Sequence, residues 1–351
     1  MNAAELTRRV SEGEVIEGEL LDGLDLSEAR LAGGIFEKCS FRSANLRGAS
    51  LQEAILNDCD LDGASFADAN LRHVTVVRGR LRGACFDRAD LTAAKFVAST
   101  LDRTSFKGAR VVITQLVESS LDEASFEGSE LDRLGILSAR SCRSLDLRRA
   151  RLKQVVVVAA DLSTARFEGA SLELCVFNDC DLRGQNFAGA TILVTQFSKA
   201  KLVGATLEDS ELRQCNFHEA DLTDARLDGA RGEHAMFLGA KLLRTSLRRV
   251  AMRGSVWNEC VMEGADLTDA ELRECMFQKA RAVATKFHGA DLSYADFSHA
   301  DVSASDFTSA TLFRSRFHRT KDDGATFTHR LLALGDDVDL AEAEDFLPRD
   351  E

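Results

Sequence analysis

A large apolar residue recurs at every fifth position over most of the chain. The series runs from Ile16 to Ile136, resumes at Leu147 and continues to Phe327, and a small residue usually stands two places before each member. Neither the helix period of 3.6 nor the strand period of 2 places every fifth residue inside. A coil with four straight sides does so, if each five-residue segment forms one side and the chain turns a corner before the next.

A second period of twenty residues indicates that four sides make one coil. Phenylalanine recurs at this spacing, and the single Trp of the chain falls in the same series. Stacked coils then place like side chains above one another, and each backbone group can pair with the coil above or below. This register predicts a structural core column of eight aromatic residues: Phe177, Phe197, Phe217, Phe237, Trp257, Phe277, Phe297 and Phe317.

Several segments, such as Ala220-Asp221-Leu222, Ala290-Asp291-Leu292 and Ala295-Asp296-Phe297, resemble the A-(D/N)-L-x-x repeat of the pentapeptide-repeat family. The resemblance covers roughly residues 14–328. It implies an all-β fold, a right-handed quadrilateral β-helix, and we expect short helical caps at the termini because the open ends of a solenoid are exposed strand edges.

The repeat predicts five regions. Residues 1–13 are an N-terminal cap that Asn2 and Glu5 open as a capping box; 14–140 and 148–328 are two solenoid stretches; 141–147 is a register slip of one residue, either a kink or a bulge; and 329–351 is an acidic C-terminal cap or tail. In topoisomerase-binding relatives the C-terminal helix also forms a dimer. An apolar set here could have that role, with capping alone as the alternative: Leu331, Leu334, Leu340, Phe346 and Leu347.

The sequence predicts no catalytic, cofactor-binding or metal-binding residues. Seven of nine Cys occupy the small inward position, and Cys85 and Cys142 are the two candidates for exposure. All seven His are expected on outward positions, and a filled coil offers no cleft for a substrate. We therefore expect a protein that is not an enzyme and needs no cofactor. With no secretory signal, no membrane-spanning stretch and no disulfide framework, a reduced cytoplasmic protein is the expectation.

Charge is concentrated at the two ends. Residues 1–30 carry −5 and residues 331–351 carry −7 of the net −13, so the body is almost neutral. Two clusters in the body are candidate partner-binding sites. The "basic belt" is Arg244, Arg248, Arg249 and Arg253, and the "acidic girdle" is Asp291, Asp296, Asp301 and Asp306. Solvated surface charge balanced by neighbouring coils is the alternative interpretation of both.

Three functions remain open. The first is a protein-binding scaffold or adaptor that uses the flat sides of a rigid solenoid, which the resemblance links to bacterial secretion systems. The second, implied by the best-known members of the family, is a DNA mimic that binds the type II topoisomerases DNA gyrase and topoisomerase IV and protects them from inhibitors. The near-neutral body counts against it, because attraction at range depends on summed charge. A host-directed effector is the third. Direct binding of nucleic acid is not expected of an acidic chain, and no membrane partner is expected of a chain without a long apolar stretch.

Overall fold

The computed structural model describes residues 1–346 and divides into two compact units, Met1–Asn186 and a second that begins at Phe187. Each unit is a parallel β-solenoid, with about 16 turns in all and a short helix near each end of the chain. The expected all-β solenoid with helical caps is confirmed. None of the described helices has the length and apolar character needed to cross a lipid bilayer.

One repeat, Ala44–Gly48, shows how five residues form one side of a coil. Leu46 and Ala44 point inward and are at most 1% exposed, whereas Arg47 points outward. The carbonyl of Leu46 accepts a hydrogen bond from the backbone N–H of Ala49 at 3.1 Å, which closes the corner. Gly48 supplies the corner's positive φ of 66°, a conformation that costs glycine little. The inward pair at every fifth residue therefore follows from one corner per repeat.

Successive coils pair in parallel at a spacing of twenty residues. Asn45 bridges Ser65, and the N–H of Leu46 donates to the carbonyl of Ser65 at 2.7 Å while the N–H of Ser65 donates to the carbonyl of Ala44 at 2.9 Å. The same ladder repeats from coil to coil, so backbone groups in the interior of a unit find partners in the neighbouring coils.

In the first unit two neighbouring walls are regular sheets. Their strand orders are β1-β2-β3-β4-β5-β7-β9-β11 and β12-β10-β8-β6. Outward β-branched residues, such as Ile35, Ile55 and Val77, favour this extended geometry. The elements of the unit are α1 (Ala3–Ser11), β1 (Val15–Glu17), β2 (Ile35–Glu37), β3 (Ile55–Asn57), β4 (Thr75–Val77), β5 (Lys95–Val97), β6 (Arg110–Val112), β7 (Gln115–Val117), β8 (Glu130–Asp132), β9 (Gly135–Leu137), β10 (Arg151–Lys153), β11 (Val156–Val157) and β12 (Ser171–Glu173).

Helix α1 covers the first coil. The side chain of Asn2 accepts the backbone N–H of Glu5 at 2.9 Å, which caps the helix start. Leu6 and Val10, on one face of the helix, are buried at 0% and 8% exposure. The helix thus blocks a strand edge that would otherwise invite pairing with another chain.

The register shift lies slightly before the interval 141–147. Val117 pairs with Leu137, twenty residues on, but Ser120 pairs with Ser141, twenty-one residues on, so the extra residue lies within 138–140. Cys142 is then the next inward centre and is only 2% exposed. The expectation that Cys142 is a candidate for exposure was wrong, because a small Cys fills the position that the repeat usually gives to Leu or Phe.

The second unit has the same coil with fewer regular strands. Its elements are β13 (Ile192–Leu193), β14 (Asp306–Phe307), β15 (Thr326–Phe327), a 3-10 helix (Arg330–Leu332) and α2 (Val338–Glu344). Strands β14 and β15 pair in parallel, and isolated bridges such as Asn216 to Met236 join the other coils at the spacing of twenty.

Aromatic rings stack along one inner column of the second unit. Ring centroids are 5.2 Å apart for Phe197 and Phe217 and 4.1 Å apart for Phe237 and Trp257. All seven members from Phe197 to Phe317 are at most 2% exposed, and Phe177, in the first unit, is 1% exposed. The lone Trp is therefore part of the core.

Arg330 closes the end of the aromatic core. Its guanidinium carbon lies 4.4 Å from the ring centroid of Phe317 and 5.5 Å from that of Phe327, a cation–π arrangement. Of the apolar set predicted to form a dimer, Leu331, Leu334, Leu340 and Phe346 are 99%, 50%, 39% and 75% exposed. Leu347 lies outside the described residues.

Candidate partner surfaces and a C-terminal cluster

The four walls of the second unit can be identified from one coil. Phe237, Leu242, Leu247 and Met252 are the inward centres of its first, second, third and fourth walls. The first wall therefore lies opposite the third. Each centre is flanked by two outward residues, and the side chains of those flanking columns make up the outer surface.

The basic belt wraps around two walls instead of forming one face. Arg248 is on the third wall and Arg253 on the fourth, while Arg244 and Arg249 occupy corners with φ of 54° and 53°. The structure thus places the four predicted residues on consecutive sides of one coil. A partner with a single flat surface could not contact all four.

Two members of the belt are already paired. Arg244 makes two hydrogen bonds of 2.7 Å to the carboxylate of Asp224, and Arg253 makes one of 2.8 Å to Glu274. These hydrogen bonds raise the pKa of both guanidinium groups. Within residues 1–346, Arg248 and Arg249 form no ion pair. The charge available to a partner is therefore the adjacent pair Arg248 and Arg249.

The acidic girdle has a structural task inside the repeat. Its members precede an inward centre on each of the four walls, and each carboxylate accepts a backbone N–H two residues on, at 2.9 to 3.1 Å; the donors are Ser293, Ser298, Ser303 and Thr308. Hydrogen bonds from the side chains of Ser303 and Thr308 are the main reason that the pKa values of Asp301 and Asp306 are lowered. Each Asp of the repeat therefore stabilises the backbone conformation of the wall segment in which it lies.

Cations on adjacent coils compensate the girdle. Arg273 lies 3.5 Å from the carboxylate of Asp291 and Arg316 lies 3.7 Å from that of Asp296. Lys321 and Arg281 contribute to the lowered pKa of Asp301. The girdle therefore presents little uncompensated negative charge.

A cluster of exposed apolar side chains on the first wall was missed from the sequence. Met236, Leu238 and Met276 are 41%, 37% and 45% exposed, and Val256 lies between the two methionines in the same column. We call these four residues the "methionine patch". Each stands one place before or after an inward centre, where the repeat usually carries a polar residue. Apolar residues at these flanking positions are the sequence feature that could have predicted the patch.

His299, His318 and Glu344 meet at the C-terminal end of the second unit. The Nε2 atom of His299 is 3.1 Å from Oε1 of Glu344, and the Nε2 atom of His318 is 3.3 Å from Oε2. One ligand atom from each residue lies within 4.8 Å of the others. His318 follows the inward centre Phe317, as expected of an outward position, but it is 0% exposed because the segment after Phe327 folds back over it.

The surrounding contacts fix this cluster. The N–H of Asp337 donates to Nδ1 of His318 at 3.0 Å, and the guanidinium of Arg319 lies 3.2 Å from Glu344 and donates to the carbonyl of Ala341 at 2.9 Å. Burial raises the pKa of Glu344, but the hydrogen bonds of His299 and His318 outweigh it and the pKa is lowered. An ionised Glu344 therefore holds α2 against the last coils. These three residues are the described ones that could hold a metal ion.

Cys85 and Cys142, the two cysteines singled out from the sequence, both have thiols with raised pKa values. Cys85 is half-buried, and burial raises its pKa. Burial raises the pKa of Cys142 to about 12. Neither environment favours the thiolate that a nucleophile needs.

Two family models match the chain. The model for a pentapeptide repeat region matches residues 29–106 and 251–327, and that for pentapeptide repeats in eight copies matches 146–184, 175–214, 195–229 and 215–254. A search of curated proteins gives no significant match.

Solved structures with the same kind of repeat are similar to the chain. HetL, a pentapeptide repeat protein involved in heterocyst differentiation regulation in the cyanobacterium Nostoc sp. strain PCC 7120, is 24% identical over 63% of this chain and 86% of HetL, with a TM-score of 0.29. A pentapeptide repeat protein of the Arabidopsis thaliana thylakoid lumen is 25% identical over 29% of this chain and 65% of its own, with a TM-score of 0.21. QnrB1, a plasmid-mediated fluoroquinolone resistance protein, is 17% identical over 63% of this chain and 95% of its own, with a TM-score of 0.25.

Proposed function

This chain belongs to the pentapeptide-repeat family, and from that premise we propose that it is a non-catalytic scaffold or adaptor that binds a protein partner in the bacterial cytoplasm. One observation carries the proposal. The inward positions are filled from coil to coil, with Phe197, Phe237 and Trp257 all at 0% exposure. Function therefore belongs to the outer walls, which can present a preformed surface at little ordering cost.

Two opposite walls of the second unit supply contrasting contact surfaces. The methionine patch lies on the first wall, and exposed apolar clusters of this kind mark protein contacts. Arg248 and Arg249 lie on and beside the third wall and suit a partner with carboxylates. Charge steers the encounter, while apolar contact supplies most of the binding free energy.

A DNA mimic directed at DNA gyrase or topoisomerase IV is the second candidate. The acidic ends of the chain favour it. The body does not, because the acidic girdle is hydrogen-bonded internally and faced by Arg273, Arg316, Lys321 and Arg281. A mimic of the phosphate backbone needs a continuous negative field along its length. We therefore rank the adaptor first.

Self-association through the C-terminal segment is part of the proposal. Leu331 and Phe346 are 99% and 75% exposed, and no residue of α2 is buried within the chain. A second copy would cover this apolar surface. Light scattering after size exclusion should give twice the mass of one chain, and Leu331→Asp/Phe346→Asp should return it to the mass of one chain. If the wild-type protein is a monomer at micromolar concentration, the proposed self-association is wrong.

Affinity capture from the native host with quantitative mass spectrometry tests the partner surfaces. Arg248→Glu/Arg249→Glu and Met236→Glu/Met276→Glu should each reduce recovery of the main partner at least tenfold. Lys201→Glu/Lys241→Glu is the control matched to the arginine variant, because it makes the same charge change at two exposed residues of the second wall. If all three variants recover the same proteins as the wild type, neither surface has the proposed role.

A supercoiling assay separates the two candidates. Purified protein at micromolar concentration should leave the activity of DNA gyrase and its sensitivity to fluoroquinolones unchanged. Gyrase subunits as the main captured proteins, together with a change in supercoiling, would replace the adaptor by the DNA mimic.

A further inference from the structure

We propose that His299, His318 and Glu344 form a site for a divalent transition metal of the zinc type, which fastens helix α2 to the last coils of the second unit. The three residues come from two successive coils and from α2, and their ligand atoms lie within 4.8 Å of one another. The site is separate from the walls proposed for partner binding, so its test is independent of theirs; helix α2 is shared only with the segment proposed for self-association.

The distances suit a tetrahedral ion. With metal–ligand bonds of about 2.0 to 2.2 Å, two ligands of a tetrahedral zinc are about 3.3 to 3.5 Å apart. The two distances from imidazole Nε2 to the carboxylate of Glu344 are 3.1 and 3.3 Å. The imidazole rings of His299 and His318 meet edge to face, with centroids 5.5 Å apart. An ion between them requires movement of Glu344, which lies on a helix with no buried residue, and release of the Asp337 N–H from Nδ1 of His318.

The donor set selects the class of metal. Two neutral imidazoles and one carboxylate suit zinc and its neighbours among the transition metals, whereas magnesium and calcium prefer oxygen ligands throughout. Local charge is also favourable. Asp336 lies 3.8 Å from His318, and Arg319 forms ion pairs with Glu344 and with the neighbouring Asp345. The ion would therefore join a site with an excess of negative charge.

Metal binding requires a change of tautomer at His318. Because the N–H of Asp337 donates to Nδ1 at 3.0 Å, the neutral ring carries its proton on Nε2, which points to Glu344. A metal at Nε2 needs that lone pair, so the proton moves to Nδ1 and the Asp337 N–H is released. Oδ1 of Asp336 lies 3.8 Å from Nδ1, which is beyond hydrogen-bond distance, so it would have to move closer to accept a hydrogen bond from the new N–H. A carboxylate behind a metal-bound His is the usual supporting contact.

Calorimetric titration of the untagged, EDTA-treated full chain with ZnCl2 tests the proposal. We expect one zinc ion per chain and a binding affinity at least tenfold weaker in Glu344→Gln and in His299→Ala. Both residues are partly exposed, so the variants should fold, and circular dichroism checks this. His288→Ala is the control and should bind as the wild type does, because the described contact of His288 is with Thr308.

Cobalt distinguishes this site from the cysteines. Co²⁺ bound by the cluster should give visible bands of a tetrahedral ion without the intense near-ultraviolet absorption of a cobalt–thiolate bond. ¹⁵N spectra should show the proton of His318 on Nδ1 after binding. The proposal is overturned by a thiolate spectrum, by no binding at micromolar zinc, or by unchanged affinity in Glu344→Gln. That last result would leave the cluster as a hydrogen-bonded contact only.

Discussion

Ser255→Ala should destabilise the second unit through one buried hydrogen bond. The indole Nε1–H of Trp257 donates to Oγ of Ser255 at 2.6 Å, and both residues are 0% exposed. Oγ in turn donates to the carbonyl of Met252 at 2.6 Å. The substitution removes the acceptor of a buried N–H, which costs about 1 to 3 kcal/mol. The Sγ atom of Cys275, 3.3 Å from Oγ, is a weak substitute acceptor, so we expect the lower half of that range.

A double-mutant cycle isolates that hydrogen bond. Trp257→Phe restores the aromatic residue of the other coils in the column and removes the donor, so it costs only packing. In that background Ser255→Ala should cost less than about 0.5 kcal/mol, which gives a coupling free energy near 1 kcal/mol between the two sites.

Urea unfolding followed by circular dichroism measures all four proteins of the cycle. In Ser255→Ala the emission of the only Trp in the chain also reports the unfolding of this part of the core. If the free-energy costs of the two single substitutions simply add, the hydrogen bond between Trp257 and Ser255 does not stabilise the core and the reasoning is refuted.

Three further predictions concern the first unit. Gly128 has φ of 69° and open space around its Cβ position, so Gly128→Val should lower the free energy of unfolding by about 1 to 2 kcal/mol through backbone strain alone. Gly135 has no positive φ and only ordinary contacts, so Gly135→Ala is the control and should leave thermal unfolding unchanged. Ellman's reagent should label one thiol slowly in the native protein, and Cys85→Ser should abolish that labelling, because the other eight cysteines are buried; fast labelling of several thiols would contradict the packing. Asp146 is 4% exposed; burial raises its pKa, but hydrogen bonds and charge from Arg148, and charge from Arg166, outweigh this and lower it. A carboxylate whose pKa is lowered on folding stabilises the folded protein above the unfolded pKa near 3.9, and this stabilisation is lost as the pH falls through the folded pKa. Asp146→Asn should therefore lower the free energy of unfolding by about 2 kcal/mol at pH 7 and by much less at pH 2. An equal loss at both pH values would refute this.

The fold was predictable because a five-residue period with a twenty-residue register admits few geometries. The positions from Phe197 to Phe317 follow from counting alone. The exact place of the extra residue did not follow from counting, because Cys142 is too small to be recognised as an inward centre and the shift was assigned to the whole interval 141–147. Some ion pairs between coils could have been predicted from the spacing of twenty residues, which also separates Arg244 from Asp224.

The candidate sites were less predictable for a different reason. The acidic girdle looked like a surface feature because sequence shows carboxylates but not the N–H groups of Ser298 or Ser303 that they accept. His318 followed the repeat and was assigned outward, but its burial depends on where the segment after Phe327 runs, and that segment has no repeat to count. Glu344 is 26 residues away along the chain, and no spacing rule connects it to His318.

The constant spacing of twenty between paired residues has an evolutionary consequence. Removing or duplicating one whole coil inside a unit leaves each side chain above its former kind of neighbour, whereas removing five residues slides the aromatic column onto an aliphatic one. The length of the solenoid can therefore change by whole turns without a change in the packing of its interior. Over evolution the number of turns can then be adapted to the size of the partner that binds the walls.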